Sequence, residues 1–231
     1  SADERRTLAG RARGCQSGAR AAPGDIANIS GTPLAEAVRS RFYKAVTFGY
    51  IFALGAQVGG ALQLVKLVEE RTDRSTATLA TIVLSTMSIL SRFAAGRIIP
   101  KINMTRFTVG LAGLQGISLA SLGLINNRIG LLIAIGLFGV TIGNMVMMQS
   151  LLLAERFGVR DYPKIAARSG LISFSGTALG PLLLGWLYDV AGGYRSSYLA
   201  AGACSIIGAI LFSFAGSASV ASTEVAPAQS Q

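Results

Sequence analysis

Six apolar stretches, each close to 20 residues long, dominate this sequence and leave few ways for it to fold. They cover residues 45–68, 77–99, 107–125, 129–153, 169–188 and 196–216. A helix rises about 1.5 Å per residue, so each stretch is long enough to cross about 30 Å of hydrocarbon. Inside a bilayer, backbone polar groups are satisfied only in helices or closed barrels. The sequence therefore predicts an all-α, polytopic membrane protein with six transmembrane helices.

The composition supports a membrane protein over a nucleic-acid-binding one. Apolar residues make up 51% of the chain, charged residues only 14%, and the net charge is +10. A basic charge balance is also typical of nucleic-acid-binding domains. Here, however, the cations lie between apolar stretches, where they act as orientation signals. We therefore expect the lipid bilayer as a partner and no nucleic acid.

The distribution of lysine and arginine predicts the orientation in the membrane. The connections between stretches are short, so successive helices run antiparallel and their loops alternate sides. The side that holds the N-terminal segment and the loops at 100–106 and 154–168 carries 16 of the 21 lysine and arginine residues. The five others are Lys66, Arg71, Arg74, Arg128 and Arg195. The positive-inside rule then predicts a multi-pass protein of the cell membrane with both termini in the cytoplasm.

The chain divides into three parts by polarity. Residues 1–44 are predicted to be a polar cytoplasmic segment or linker, residues 45–216 the transmembrane domain, and residues 217–231 a flexible cytoplasmic tail. The N-terminal part lacks the apolar run of a cleavable signal peptide. It begins with Ser1, which suggests that a preceding segment has been removed or was never sequenced.

The polar residues available inside the membrane exclude several kinds of chemistry. The chain has no histidine, and the only acids between residues 74 and 188 are Glu155 and Asp161, both in a loop. An intramembrane protease or metalloenzyme needs such groups, so we expect no enzyme, no metal and no cofactor. A proton-carrying carboxylate would also have to lie elsewhere, whereas the exchange of one anion for another needs none.

Arg92 is the one charge within the predicted spans that invites a functional interpretation. Within the predicted span fifteen uncharged residues precede it, and a charge inside a span costs at least about 2.5 to 3.5 kcal/mol unless it snorkels or has a partner. Ser85, Ser88 and Gly96 share its helix face, so the guanidinium has a polar surface and free space beside it. It is a candidate to bind a carboxylate through two parallel hydrogen bonds. Alternatively, Arg92 only snorkels, because the helix end near Ile99 is about 10 Å away.

Two amides are weaker candidates for substrate contact. Asn144, at mid-depth in the fourth span, is open to either an interhelical hydrogen bond or a substrate contact. Gln57, in the first span, is six residues from Gln63, so the two lie on different faces and cannot line one path. Glycines surround Gln57, and helix packing is the simpler interpretation there.

The fifth span contains the most specific pattern of the sequence. Gly176, Gly180, Pro181 and Gly185 form a GxxxGPxxxG motif, which Asp189 follows. Proline removes one backbone donor and the glycines leave room for a neighbouring backbone, so this helix should bend and pack closely here.

These motifs resemble the C-terminal six-helix half of a major facilitator superfamily transporter, and most of all its oxalate/formate antiporter and monocarboxylate transporter branch. The resemblance rests on the GxxxGPxxxG helix with Asp189, on the segment from Arg92 to Gly96, and on the Glu155-Arg156-Phe157-Gly158 loop entry, and it covers residues 42–216. It implies two inverted three-helix repeats, residues 45–125 and 129–216, that work by alternating access with an N-terminal six-helix half. It also implies structural or gating roles for the GxxxGPxxxG residues, Gly96, Arg97 and Asp189.

The chain departs from this family in three places. Gly96 is followed by Arg97-Ile-Ile-Pro100-Lys101, so Pro100 replaces the acidic residue usual in that loop. Ser88 stands where monocarboxylate carriers tend to have an acid, and residues 170–187 lack the lysine that some oxalate carriers have. A charge relay through the loop is therefore not expected in this half.

Two functions remain open on this basis. The first is transport of a small organic anion, a mono- or dicarboxylate, with the substrate at the interface between this half and another six-helix half. The second is a six-helix membrane scaffold or assembly protein without transport activity. Because the polar residues of these six helices line only one wall of a path, we expect no transport by residues 1–231 alone.

Overall fold

A computed structural model describes residues 31–99 and 102–216 of the chain, and in these ranges the architecture is helical. A short helix, α1 (Leu34–Arg39), precedes six long ones. These are α2 (Arg41–Arg71), α3 (Arg74–Ile98), α4 (Met104–Leu124), α5 (Arg128–Phe157), α6 (Tyr162–Ala191) and α7 (Tyr194–Ala215). Residues 1–30 of the predicted polar segment, Pro100, Lys101 and the predicted tail 217–231 lie outside the described residues.

All six long helices are long and apolar enough to cross a membrane, which confirms an all-helical fold compatible with a multi-pass membrane protein. Each of the six long helices begins before its predicted apolar stretch, and three of them also end after it. The fifth span was predicted at 169–188, whereas α6 runs from Tyr162 to Ala191. Polar residues outside the hydrocarbon continue a helix until a cap ends it, and Asp73, Asn103 and Asn127 provide such caps at the starts of α3, α4 and α5.

Each long helix packs against a defined set of neighbouring helices. The most extensive contacts join α2 to α6, α4 to α7, α2 to α7, α3 to α5 and α4 to α5. By contrast, α3 and α6 are the least buried of the six long helices. Each of these two packs mainly on one partner and leaves the rest of its surface open.

Short connections join the six helices, so α2, α4 and α6 start at the end of the bundle where α3, α5 and α7 finish. We call this end the cation-rich end. In the described residues it carries Arg39, Arg41, Lys44, Arg97, Arg106, Arg156, Arg160, Lys164 and Arg168, and Arg92 lies below it.

Candidate functional site

The candidate arginine, Arg92, lies near the point where α3 crosses α5. Gly143 of α5 lies directly against Ser88 of α3. A side chain at Gly143 would collide with the Ser88 carbonyl and would start only 2.8 Å from the Ser91 hydroxyl oxygen. Glycine therefore allows the two backbones to touch, as small residues do in membrane helix pairs.

Arg92 lies one turn beyond Ser88 and is tied to the same glycine. Its Nε donates a hydrogen bond of 2.8 Å to the Gly143 carbonyl oxygen. The side chain is nevertheless exposed at the surface of the helix bundle. In the described part of the chain the one ion pair joins Lys164 and Asp161, so Arg92 has no carboxylate partner there. Its two terminal nitrogens make no hydrogen bond to any described residue, which leaves an edge of the guanidinium that can hold a carboxylate.

The other predicted residues of this face surround the guanidinium along α3. Ser85 is exposed and Ser88 partly exposed. A Cβ atom added at Gly96 would meet nothing within 4 Å, so the space beside Arg92 is open. With 3.6 residues per turn, Ser85, Ser88, Arg92 and Gly96 share one side of the helix.

The structure does not bring the two predicted amides to Arg92 by any hydrogen bond. Asn144 is 1% exposed, and its Nδ2 donates to the Val140 carbonyl within its own helix. Its side chain lines a groove together with Ser91 of α3, and Arg92 does not line that groove. Gln57 is also buried, and the side-chain oxygens of both amides lack a hydrogen-bond partner in the described residues.

The residues predicted to be structural or gating differ in how closely they are packed. Gly176 and Gly180 press against the backbone of α2 at Ile51 and Gly55. Pro181 lies inside α6, which continues through it. Gly185 is loosely packed, since a Cβ atom there would be 3.8 Å from Gln63 Nε2. Arg97 and Asp189 are both exposed.

A buried polar cluster near the cation-rich end was not predicted from the sequence. Gln149 of α5 donates from Nε2 to the hydroxyls of Ser169 (3.2 Å) and Ser173 (2.9 Å) on α6. Ser169 also shares a 2.9 Å hydrogen bond with the Thr47 hydroxyl, and Ser173 donates to the Thr47 carbonyl at 3.3 Å. The available signal was the spacing of the two serines, four residues apart on one face of α6. The cluster joins three helices, and all four of its residues are buried.

Arg71 was counted only as an orientation signal, yet it stabilises a helix end. Its guanidinium donates to the carbonyl oxygens of Leu122 (2.6 Å), Ile125 (2.7 Å) and Gly123 (3.1 Å) at the end of α4. Helix C-termini leave carbonyl groups unsatisfied and carry partial negative charge. Arg71 of α2 donates hydrogen bonds to these carbonyl groups and places a positive charge beside the partial negative charge.

The segment before α2 docks onto the loop between α5 and α6. Thr32 N donates to the Phe157 carbonyl at 2.9 Å, and Leu34 N donates to Asp161 Oδ2 at 3.2 Å. Lys164 Nζ lies 3.1 Å from Asp161 Oδ1. The hydrogen bonds from Lys164 and then from Leu34 N lower the pKa of Asp161 below its ordinary value. We call residues 31–39 and their contacts with this loop the N-terminal clasp.

No family model matches the chain, and no curated protein matches it significantly.

Proposed function

We propose that these six helices form one half of a transporter of the major facilitator type, which moves a small organic anion, a mono- or dicarboxylate, by alternating access. In this proposal both termini are cytoplasmic, and a second six-helix half covers the open face of the bundle. The chain acts as a carrier, without enzymatic chemistry.

The observation that carries the proposal is the environment of Arg92. A guanidinium at this depth has a high desolvation cost and usually finds a counter-ion. Here its Nε is fixed by the Gly143 carbonyl while its terminal nitrogens have no carboxylate partner among the described residues. This arrangement holds the planar group in one orientation before substrate arrives, which lowers the entropy cost of binding. An incoming carboxylate would supply the absent negative charge.

The helix contacts support the predicted inverted repeats. Exchanging the triplet α2–α3–α4 with α5–α6–α7 converts the α2–α6 contact into α5–α3, and α2–α7 into α5–α4. The α4–α7 contact is converted into itself. Four of these five contacts thus form exchangeable pairs, as inverted-topology repeats require.

The low burial of α3 and α6 supports a second half. These helices are equivalent under the same exchange, and both leave large apolar side chains exposed, among them Leu90, Phe93, Leu171 and Phe174. Part of such a surface faces lipid, but α3 also presents Arg92 and Ser85 there. A protein partner would remove these polar groups from the hydrocarbon.

The alternative function, a membrane scaffold, is favoured by one observation. The bond from Arg92 Nε to Gly143 ties α3 to α5 and would be useful without any substrate. In that case Arg92 contributes only to folding.

Uptake by the complete gene product that contains residues 1–231 distinguishes these functions. We expect saturable uptake of mono- or dicarboxylates into proteoliposomes, reduced at least about tenfold by Arg92→Lys, because lysine lacks the planar pair of donors. The thermal unfolding midpoint of this variant should stay near that of the parent, and Arg128→Lys at the opposite end is the matched control. Near-normal uptake by Arg92→Lys would refute a carboxylate-binding role. Absence of uptake in the parent would favour the scaffold.

A further inference from the structure

A long groove separates α3 from α4. It has a volume of about 570 Å³ and α5 forms its floor. Its wall is almost entirely apolar and includes Met87 and Ile98 of α3, Phe107, Gly110 and Leu114 of α4, and Val140 of α5. The Ser91 hydroxyl and the Asn144 amide donate to carbonyls of their own helices. The groove therefore suits an apolar occupant over most of its length.

One end of the groove is cationic and opens into a polar pocket. Arg106 lines the groove and also lines a neighbouring pocket of about 380 Å³, together with Asn103, Thr105, Val109, Ser213 and Gly216. This pocket surrounds the start of α4, where Asn103 is the N-cap and accepts a hydrogen bond from Arg106 N. The N-terminus of a 21-residue helix favours an anion, and the Arg106 guanidinium adds a full positive charge.

The length of the groove matches one leaflet of a bilayer. On α3 it extends from Met87 to Ile98, which is about 16 Å at 1.5 Å per residue. A hydrocarbon core of about 30 Å gives about 15 Å per leaflet. The groove thus runs from the cation-rich end to the middle of the membrane.

We propose that this groove binds an anionic phospholipid from the leaflet at the cation-rich end. Its phosphate lies in the polar pocket against Arg106 and the start of α4, and one acyl chain follows the groove toward Leu114. Along the site, the polar pocket comes first, then Arg106, then the apolar groove. This matches the order of phosphate, glycerol and acyl chain along such a lipid. The proposal does not rest on the proposed transport function, since Arg92 is not among the residues that line the groove.

A second groove in the same protein provides a natural comparison. It lies between α6 and α7, has a volume of about 480 Å³ and is equally apolar, but none of its lining residues is basic. Trp186, the only tryptophan of the chain, lines this second groove. We expect the second groove to accept acyl chains without selecting a headgroup.

Quenching of tryptophan fluorescence by brominated lipids tests the proposal. In the double variant Phe107→Trp, Trp186→Phe, the tryptophan lies in the α3–α4 groove. The purified protein is reconstituted with dibromo-phosphatidylglycerol or dibromo-phosphatidylcholine in a background of unbrominated phosphatidylcholine. A single basic residue near the membrane surface strengthens the attraction of an anionic lipid about fivefold, so half-maximal quenching should need about fivefold less phosphatidylglycerol than phosphatidylcholine.

Three further substitutions separate the parts of the site. Arg106→Gln should abolish the difference between the two lipids. Gly110→Leu should reduce quenching by both, because a Cβ atom at Gly110 meets nothing within 4 Å and the larger side chain occupies the groove. Gly96→Leu is the matched control, because that glycine has the same free space on the opposite face of α3.

Equal quenching by the two lipids before Arg106 is changed would overturn the proposal. Absence of quenching by either lipid would also overturn it, because the groove is then covered by protein, either a second copy or another subunit. A preference for phosphatidylglycerol that survives Arg106→Gln would place the headgroup elsewhere and refute the assigned site.

Discussion

The carbonyl oxygen of Gly55 lies against the α-carbon of Gly180, at the point where a side chain on Gly180 would begin. The contact is reciprocal one turn on, since a Cβ atom added to Gly59 would be 2.9 Å from the Gly180 carbonyl carbon. Two bare backbones therefore meet where α2 crosses α6. Membrane helices associate through such close packing, because lipid provides no hydrophobic driving force between them.

Gly180→Ala should destabilise the protein at this crossing. The added methyl group has to push α2 and α6 apart, and overpacking of a tight contact costs about 1 to 3 kcal/mol. Gly170→Ala is the matched control on the same helix, because a Cβ atom there meets nothing within 4 Å. Thermal unfolding in detergent measures both variants, and an equal effect of the two substitutions would contradict the prediction.

Arg71→Gln should release the end of α4. It removes three hydrogen bonds to carbonyl oxygens and the positive charge at the negative end of the helix, for a loss of about 2 kcal/mol. Arg74→Gln, three residues away and exposed, is the control. Hydrogen exchange of the amides near Leu124 should increase in Arg71→Gln alone. Unchanged exchange there would show that Arg71 does not hold this helix end.

The helices were predictable from the sequence because an apolar run of about 20 residues has one solution in a bilayer. The ends of the helices were not predictable, because a helix can continue into polar residues beyond its apolar run. The first span was predicted at 45–68, yet α2 begins at Arg41, where the Ser40 side chain accepts a hydrogen bond from Tyr43 N, and it ends at Arg71. Each end depends on a cap or on a contact with another helix.

The site was predictable only where one helix defines it. Ser85, Ser88, Arg92 and Gly96 share a face because of helical periodicity alone. The Gly143 carbonyl that binds Arg92 depends on how α5 packs against α3, and the Asn144 amide donates within α5 instead of to Arg92. Residue spacing within one helix carries no information about how that helix is rotated against its neighbour. The partners of Gln149 and Arg71 on other helices were unpredictable for the same reason.

Two buried glutamines should respond in opposite ways to replacement by methionine. Gln149 makes two hydrogen bonds, so Gln149→Met should lower the free energy of unfolding by about 1 kcal/mol. Gln57 has a buried side-chain oxygen without a described partner, so Gln57→Met should raise it. If Gln57 contacts substrate, uptake should fall in this more stable variant. A loss of stability in Gln57→Met would contradict the prediction.

The N-terminal clasp should open at low pH. The pKa of Asp161 is lowered in the folded protein from an ordinary value of 3.8, so its stabilising contribution is present above about pH 4 and is lost as the pH falls through the lowered pKa. Spin labels at Ala35 and Val159 measure the distance between the clasp and the loop. We expect a narrow distribution at pH 7 that broadens reversibly below about pH 4. Asp161→Asn should be broad at both values, and a pH response that persists in this variant would show that another group controls the clasp.

Gly96→Leu should block the proposed anion site while leaving the fold intact. A Cβ atom at Gly96 meets nothing within 4 Å, so leucine fits without displacing a neighbour and also favours the helix by up to about 1 kcal/mol. Its side chain points back along the helix toward the preceding turn, which is where Arg92 lies.

Leucine at this position covers the open side of the guanidinium without changing its charge or its bond to Gly143. We therefore expect carboxylate uptake by the complete transporter to fall at least about tenfold, with an unchanged or higher unfolding midpoint. Gly113→Leu on α4 is the control, since that glycine also has free space and lies on a helix without Arg92 contacts. If uptake by Gly96→Leu matches that of the control, the anion does not approach Arg92 from this side. The loss of uptake without loss of stability is the outcome that a purely structural Arg92 does not produce.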